Sequence, residues 1–422
     1  MSQNKFEQAL AVGRPPNVVK NFPHSKALIV SGKVIDRACL AKGKCMTIAA
    51  NGRNIFVIEG TLKAAQRANA ALIIEIARSE STYCPTTMWN LARRVDYLCN
   101  KLGITIPVAI HADHYFIKKW EDVAEAKAEI PSLFDSGVTS IAVDASHMPD
   151  DNNLLANIAL APVIPTWAGY ETEIGEIKGK FGLSTPVEAK YLVQGLNAHG
   201  LCPDWIALNN GTTHGIEASG EGIQVALTSE IHEALKPYGT SGAQHGTSGN
   251  DSNRLREIAA QTKTTKANVA TALQMIGWGL KVNDFGNAIL TEDGKFDKVV
   301  GKGLSEELWT EMTTWADENG ITGGNYKKLN LPFERRWEGE SAEVRERMSR
   351  EVEDFVYNLL VNVFNAENTA DYAYDLLIEA GSYDLGPKAE KFENPAEWTE
   401  EKIRAKAAEI DTDKGPAGDW DD

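Results

Sequence analysis

The chain has 422 residues, 43% of them hydrophobic and 24% charged, which is the composition of an ordinary soluble globular protein. It carries 43 basic and 59 acidic residues, a net charge of −16. Such a surface repels phosphate backbones and anionic lipids, so neither nucleic acid nor a membrane is an expected partner. A small anionic substrate would need positive charge concentrated locally.

Two further features of the sequence bear on the cellular compartment of the protein. The five cysteines are Cys39, Cys45, Cys84, Cys99 and Cys202, an odd number without a CxxC pair, which does not suggest a disulfide framework. The N-terminal segment MSQNKFEQAL lacks the basic start and apolar core of a signal peptide. We therefore expect a cytoplasmic protein.

Short apolar runs that read as strands alternate with segments that show helical spacing of apolar residues. The strand candidates, in chain order, are Asn54–Glu59, Ala71–Ala77, Ile104–Ile110, Ser140–Asp144, Val163–Ala168, Trp205–Asn210, Thr240–His245 and Leu280–Asn283. Alternation of this kind predicts parallel βαβ units, and eight units suggest closure into a (β/α)8 TIM barrel. The competing architecture is an open doubly wound sheet, but no glycine-rich turn follows the first strand candidate.

The domain prediction follows from this pattern. We expect an N-terminal extension over 1–50, the catalytic barrel over 51–290, a helical extension packed on the barrel over 291–410 and an acidic flexible tail over 411–422. Helices are predicted over Glu306–Asn319 and Ala342–Ala366. In the second of these, apolar residues recur at three- and four-residue steps, enough to bury one face.

Polar residues cluster where the predicted strands end, the face on which barrel enzymes carry their sites. In chain order they are His111, Asp113 and His114 after the third strand, Asp144 at the end of the fourth, Glu171 and Glu173 after the fifth, His214 after the sixth, His245 at the end of the seventh and Asn283 at the end of the eighth. Three imidazoles and a carboxylate meeting at one face could hold zinc and leave one coordination position open. Each motif alone also fits a cap or a surface turn.

Together, the motifs HADH, SIAVDASHMP, YETEIG, NGTTHG and QHGTSG resemble the class II, metal-dependent fructose-bisphosphate aldolase family in order and spacing. The resemblance covers roughly residues 50–365 and identifies the chain as a divergent member. It implies a lyase with one catalytic Zn²⁺, allows a monovalent cation as a second ion, and suggests a place in glycolysis. It also implies a homodimer or a larger homo-oligomer.

The resemblance assigns a role to each matching residue. Zinc ligands fall at His114, His214 and His245, an alternative metal position at Glu173, and further metal or supporting positions at His111 and Asp144. Asp113 matches the carboxylate that exchanges the proton of the C4 hydroxyl, and Asn283 matches an asparagine beside the substrate carbonyl. Gly215, Gly246 and Ser248 match groups that contact a phosphate.

Three departures from the family pattern bear on catalysis and substrate identity. In the loop after Glu173 only Glu176 is acidic, so it is the candidate for the acid/base at C3. Asp284 and Phe285 follow Asn283 where the family has an aspartate and a threonine that hold phosphate. Where the family places a serine after its second strand, the chain has Ala77, with Arg78 and Ser79 next to it. Candidates to restore the phosphate contacts that are missing after the eighth strand are Arg78, Ser79, Arg335 and Arg336.

The expected activity is reversible retro-aldol cleavage of a ketose phosphate, with fructose 1,6-bisphosphate the first candidate and dihydroxyacetone phosphate and glyceraldehyde 3-phosphate the products. A metal ion that stabilises the charge left beside the ketose carbonyl makes a Schiff-base lysine unnecessary. The alternatives are an aldolase for a different ketose, an amidohydrolase-like metal hydrolase, and a barrel that binds without catalysis.

Overall fold

A computed structural model describes residues 2–175, 182–211, 222–248, 250–283 and 286–410. Its strands, in chain order, are β1 Ile29–Val30, β2 Thr47–Asn51, β3 Leu72–Ala77, β4 Val108–Phe116, β5 Ser140–Asp144, β6 Gly169–Ile174, β7 Trp205–Leu208, β8 Ser241–Gln244 and β9 Thr264–Val269. All neighbouring strands pair in parallel.

The strands β2 to β9 form a closed barrel, because β2 pairs with both β3 and β9 and β4 pairs with β5. Every residue of β2, β3 and β5 is buried, as expected of parallel strands covered by helices. The fold is therefore the expected TIM barrel. Outside the eight-strand ring, β1 pairs with the start of β4.

Helices alternate with the barrel strands and continue beyond the last one. In chain order they are α1 Ser2–Gly13, α2 Pro16–Asn21, α3 Gly32–Lys42, α4 Ile55–Ala68, α5 Leu91–Leu102, α6 Trp120–Asp135, α7 Asp150–Leu160, α8 Pro186–Ala198, α9 Val225–Ala234, α10 Ser252–Gln261, α11 Thr271–Gly277, α12 Glu306–Glu318, α13 Asn330–Glu338, α14 Ala342–Asn358, α15 Thr369–Ala380 and α16 Glu400–Ala407. The two helices predicted in the extension correspond to α12 and α14. One turn of π-helix, Leu359–Val363, continues α14.

The segment after β9 builds a small hydrophobic core of its own. Trp278 lies 5.8 Å from Trp337 and 6.2 Å from Trp309, measured between ring centroids. Leu329 and Met312 are buried in the same cluster. Because Phe56 of α4 and Met275 of α11 also belong to this cluster, it attaches the extension to the barrel.

Three of the predicted strands are wrong. Asn54–Glu59 is the start of α4, and the Asn54 side chain accepts hydrogen bonds from the amides of Phe56 and Val57 as its N-cap. The apolar run that suggested a strand is the buried face of this helix, which a short run cannot distinguish from a strand. The first barrel strand is β2, which begins before the predicted domain boundary at 51.

The predicted eighth strand, Leu280–Asn283, is also wrong. Leu280 makes an isolated antiparallel bridge to Lys298, and the eighth barrel strand is β9, within a segment that was read as helix. The predicted strand Val163–Ala168 precedes the true one, β6. Both β6 and β9 carry polar side chains toward the barrel interior, so they lack the apolar pattern of a strand.

The predicted division into extension, barrel and helical extension stays a proposal, and the tail over 411–422 lies outside the described residues. None of the helices in the described ranges combines the length and the apolar character needed to span a bilayer.

The contact between α4 and α14 depends on a glycine. A Cβ atom on Gly60 would lie 2.3 Å from the Ser349 carbonyl oxygen and 2.7 Å from Val352 Cβ. We expect Gly60→Ala to destabilise the protein by about 1–3 kcal/mol, because the helices must separate. Chemical denaturation measures this. Gly324→Ala, where no atom lies within 4 Å of the added carbon, is the control, and equal stability of the two variants would contradict the close packing.

Candidate metal centre and active site

The strand β4 presents two consecutive polar residues to the barrel interior. Asp113 and His114 both line the central cavity, although neighbours on a regular strand point to opposite faces. His114 has a φ of 43°, and the register between β4 and β5 shifts between Ala112 and Tyr115. This local bulge brings both side chains to the same side, a common arrangement near active sites.

Two histidines and three carboxylates meet around this bulge. His114 Nδ1 lies 3.3 Å from Asp144 Oδ2 and 3.5 Å from Glu173 Oε2. His245 Nδ1 lies 3.4 Å from Glu173 Oε1. Two sets of side chains each bring potential ligand atoms within 4.8 Å of one another. One set is Asp113, His114 and His245, and the other is His114, Asp144 and Glu173.

The nitrogen and oxygen atoms of these side chains fit a divalent metal ion. Glu173 Oε2 and His245 Nδ1 are buried without a hydrogen-bond partner among the described residues, a state that costs free energy unless something else binds them. Mixed imidazole and carboxylate ligands suit zinc. We therefore expect the metal on His114 and His245, with Glu173 close by. The third predicted ligand, His214, lies outside the described residues, as do Gly215 and Glu176.

The carboxylates draw positive charge to this centre. Burial favours the neutral form of His245, but Glu173 and Glu171 outweigh it and raise the pKa of His245 to about 10. Burial likewise opposes charge on His114, and Asp113, Glu173 and Asp144 raise its pKa well above the usual value. The same field would attract a metal cation.

A lysine that the sequence analysis missed lies beneath the metal centre. Lys266 of β9 is fully buried, and its Nζ lies 2.7 Å from Glu171 Oε2, 3.3 Å from Glu75 Oε2 and 3.4 Å from Asp113 Oδ1. Burial opposes its charge, but Glu171, Glu75 and Asp113 raise the pKa of Lys266 above its usual value. Lys266 is thus held as a cation. His111 joins this layer, with Nε2 3.1 Å from Lys266 Nζ.

Asn268, and not Asn283, lies beside Asp113 in the cavity. Asn268 lies on β9, lines the cavity and donates from Nδ2 to Asp113 Oδ1 over 3.1 Å. Asn283 lies in a turn, where its Oδ1 accepts the amide of Asn287, and it is not among the residues that line the cavity. Asn283 was chosen because it ends the predicted eighth strand, and that strand is not present in the structure.

The cavity has a volume of about 470 Å³, within the range of small-molecule sites. Gly246, Ser248 and Thr271 line it on the side of β8 and β9, and Ser79 lines it beside β3. The N-terminus of α10 follows Ser248, but Asp251 already accepts the amides of Asn253 and Arg254.

Several candidate basic groups lie elsewhere. Arg78 does not line the cavity; its guanidinium lies 2.9 Å from Glu129 and 3.1 Å from Glu125. Arg335 and Arg336 line a separate surface recess on the extension. Within the described ranges, Arg53 and Lys327 are the arginine and lysine that line the cavity, and no sequence motif pointed to them. Asp284 and Phe285 lie outside the described residues.

A family model described as class-II fructose-bisphosphate aldolase matches residues 33–316. The fructose-bisphosphate aldolase of Streptococcus pneumoniae serotype 4 is 28% identical over 258 residues, which cover 59% of this chain and 80% of that protein. The enzyme of the same name from Streptococcus pyogenes serotype M1 is 26% identical over 262 residues, with 58% and 80% covered.

Solved structures show the same fold. The YdjI aldolase from Escherichia coli K12 has a TM-score of 0.52 at 16% identity, with 81% of this chain and 99% of that chain covered. The fructose-bisphosphate aldolase Fba from Campylobacter jejuni has a TM-score of 0.51 at 19% identity, with 81% and 97% covered.

The raised pKa of His245, about 10, predicts that zinc and protons compete. The imidazole is protonated in the ion-free protein at neutral pH and must lose that proton to bind metal. We expect the apparent affinity for zinc to rise about tenfold per pH unit between pH 6 and pH 8 for each proton displaced. Calorimetric titrations in buffers of different ionisation enthalpy measure both the affinity and the protons released.

Two variants accompany this titration. His245→Ala should lose most of the bound zinc because it removes one ligand, and its residual binding should release one proton fewer. His24→Ala, at an exposed position, should bind zinc like the unmodified protein. An affinity that stays constant from pH 6 to pH 8 would contradict the assignment.

Proposed function

The chain belongs to the class-II fructose-bisphosphate aldolase family and is a lyase, and we propose that it is a zinc-dependent aldolase that reversibly cleaves a ketose phosphate. The first candidate substrate is fructose 1,6-bisphosphate, which would give dihydroxyacetone phosphate and glyceraldehyde 3-phosphate. The observation that carries the proposal is the cluster of His114, His245 and Glu173 beside Asp113 at the carboxyl end of the barrel, with buried donor atoms left unpartnered among the described residues.

The proposed metal ligands are His114, His214 and His245, with Glu173 as an alternative position and His111 and Asp144 in support. When bound, the ion would act as a Lewis acid toward the negative charge that develops beside the ketose carbonyl. Asp144 accepts a hydrogen bond from Ser146 while its other oxygen faces His114 Nδ1, so it fixes the orientation of that imidazole.

Asp113 is the proposed base for the proton of the C4 hydroxyl. Its carboxylate lines the cavity, and Asn268 and Lys266 both lie within 3.4 Å of Oδ1. These contacts hold the carboxylate in place. Burial favours its neutral form, but His114 and Lys266 lower the pKa of Asp113 below its usual value, so it is ionised at neutral pH, the form that a base requires.

The remaining assignments rest on the resemblance. We propose Glu176 as the acid/base at C3. Gly215, Gly246 and Ser248 are proposed to contact one phosphate, and the latter two line the cavity. After Asn268 the chain reads Val269-Ala270-Thr271, so Thr271 supplies a hydroxyl to the cavity and Ala270 supplies none.

Because the cavity residues depart from the family pattern, we keep a second candidate substrate, a ketose phosphate substituted differently from fructose 1,6-bisphosphate. Ala77 and Ala270 line the cavity without polar side-chain groups, so its contacts to substrate differ from the family pattern. The hydrolase alternative has lost its support, because the first barrel strand carries no histidine and the last barrel strand carries Lys266 and Asn268 rather than an aspartate.

A homodimer or larger assembly, a cytoplasmic location and a monovalent cation as a second ion are further proposals that follow from the family. Light scattering after size-exclusion chromatography tests the oligomeric state.

The deciding experiment is a retro-aldol assay over phosphorylated and unphosphorylated ketoses. We expect cleavage of a ketose phosphate that a chelator abolishes and added zinc restores, together with exchange of the C3 proton with solvent, which a hydrolase has no reason to catalyse. Trapping of substrate on a lysine by borohydride, or full activity after complete removal of metal, would refute the metal-dependent mechanism.

The role of Asp113 gives a separate prediction. Asp113→Asn keeps the shape and the hydrogen bond with Asn268 but removes the base, so kcat should fall by about 10²–10⁴ while zinc content stays the same. Steady-state kinetics and metal analysis check this together. Asp135→Asn, at an exposed position on α6, is the control. Loss of zinc from Asp113→Asn would make Asp113 a ligand instead.

A further inference from the structure

The end of the barrel opposite the metal centre is crossed by a segment that lies beyond the part of the chain matched by the family model. Residues 382–398 connect α15 to α16, and we call them the strap. Near its start, Arg37 of α3 donates to the carbonyl oxygen of Leu385. At its end, Trp398 is buried against the ring of Tyr191 on α8. The strap therefore reaches from α3 to α8 across the N-terminal ends of the strands.

Lys388 is the residue of the strap that contacts the barrel strands. Its side chain is 8% exposed, and Nζ donates to Asp36 Oδ2 on α3 over 2.6 Å. The same ammonium group donates to the carbonyl oxygen of Asp204 over 2.8 Å and to Ser241 Oγ over 3.0 Å, at the starts of β7 and β8. Asp36 is fully buried, and a buried charge is costly when its partner is removed. The ion pair therefore fixes one position of the strap against α3.

The carboxylate of Asp36 also makes a contact inside the barrel. Its Oδ1 accepts from Thr265 Oγ1 over 2.7 Å, and Thr265 Oγ1 accepts from Trp205 Nε1 over 2.8 Å. All three side chains are buried. The register between β8 and β9 shifts at this point, which lets the consecutive residues Thr265 and Lys266 both contact interior side chains. The strap is thus connected to the barrel interior through two hydrogen-bonded side chains.

Trp205, His111 and Ser140 lie beneath the catalytic residues, and we call these three side chains the floor. The ring of Trp205 is edge-on to His111, with 6.2 Å between centroids and 80° between planes. His111 Nδ1 lies 2.7 Å from Ser140 Oγ, and His111 Nε2 lies 3.1 Å from Lys266 Nζ. Lys266 Nζ in turn lies 3.4 Å from Asp113 Oδ1. Buried contacts therefore continue from the strap to the proposed base.

The packing around the floor leaves little room for adjustment. A Cβ atom on Gly32, at the start of α3, would lie 2.6 Å from Ser140 Oγ and 3.0 Å from the ring of Trp205. Interiors packed this closely transmit a displacement to their neighbours. A shift of α3 or of the strap would therefore displace Trp205 and the side chains above it.

We propose that Lys388 is a positioning residue for the catalytic layer. Bound to Asp36, it holds Thr265 and Trp205 in place, and the floor then fixes the side chains beneath Asp113. Lys388 acts through these residues from the far end of the barrel and does not touch the cavity. This inference rests on the proposed aldolase function and adds to it a remote element that sets the rate of turnover.

The test compares variants that remove or keep single contacts. Lys388→Met keeps the aliphatic stem and removes the ammonium group. Thr265→Val keeps the shape and removes the hydroxyl, whereas Thr265→Ser keeps the hydroxyl. Lys391→Met, at an exposed lysine of the same strap, is the control. Each full-length variant is loaded with zinc and assayed at a temperature at which circular dichroism shows it fully folded.

The kinetic measurement is cleavage of fructose 1,6-bisphosphate, or of the ketose phosphate that the unmodified enzyme cleaves fastest. Lys388→Met and Thr265→Val should each lower kcat about twofold to thirtyfold, the range for residues that act through a packed network, with KM and zinc content unchanged. The double variant should lose little more than either single variant, because both interrupt the same series of contacts. Thr265→Ser and Lys391→Met should keep normal turnover. Reduced stability with normal kcat, or losses that multiply in the double variant, would overturn the inference.

Hydrogen exchange followed by mass spectrometry tests the same inference without relying on activity. In Lys388→Met, the amides of the strap and of β9 should exchange faster than in the unmodified protein, while those of α12, in the tryptophan-rich core, should not change. Unchanged exchange in β9 would show that the strap does not hold the interior, whichever substrate is cleaved. If the unmodified enzyme cleaves no ketose, the aldolase function fails, and the exchange of β9 still decides whether Lys388 positions the interior.

Discussion

The concentration of buried negative charge at the centre of the barrel constrains the rest of the structure. Glu75, Asp113, Asp144, Glu171 and Glu173 come from four consecutive strands and are all buried. Burying carboxylates costs several kcal/mol each unless cations or hydrogen bonds compensate. Lys266 compensates part of this charge directly. The negative charge that Lys266 does not compensate explains why the pKa values of His114 and His245 are raised and why a metal ion suits the site. Burial and Asp113 raise the pKa of Glu75 well above its usual value.

This polar centre also decides which strands the sequence could reveal. The prediction for Ser140–Asp144 is confirmed residue for residue, because only its last residue is charged and residues 141–143 form a continuous apolar run. The strand β9 reads TTKANV, with Lys266 and Asn268 turned toward the carboxylates, and it was taken for helix. The strand β6 was displaced because Glu171 and Glu173 look like loop residues. The strands that carry the chemistry are thus the least apolar ones, and their local pattern is the weakest.

The residues of the site also divide into those that the sequence could predict and those that it could not. Asp113, His114, Asp144, Glu173 and His245 could be gathered from the sequence because each stands in a motif near a strand end. Glu75, Arg53 and Lys327 could not, since they carry no motif and reach the cavity only through strand register and through the docking of the extension. Asn268 was missed for a third reason: the asparagine of the family pattern was sought after a strand that does not exist.

The buried lysine adds a final argument about mechanism. A lysine that forms a Schiff base must lose its proton and meet the substrate carbonyl. Lys266 satisfies neither condition, because Glu171, Glu75 and Asp113 hold it in the charged form and it is not among the residues that line the cavity. Its charge instead permits Asp113 to remain an ionised carboxylate next to Glu75 and Glu171, and Asn268 fixes the orientation of that carboxylate. In the mechanism we propose, the lysine therefore supports Asp113 as the base, and a metal ion held by the cluster of His114, His245 and Glu173 would stabilise charge at the carbonyl.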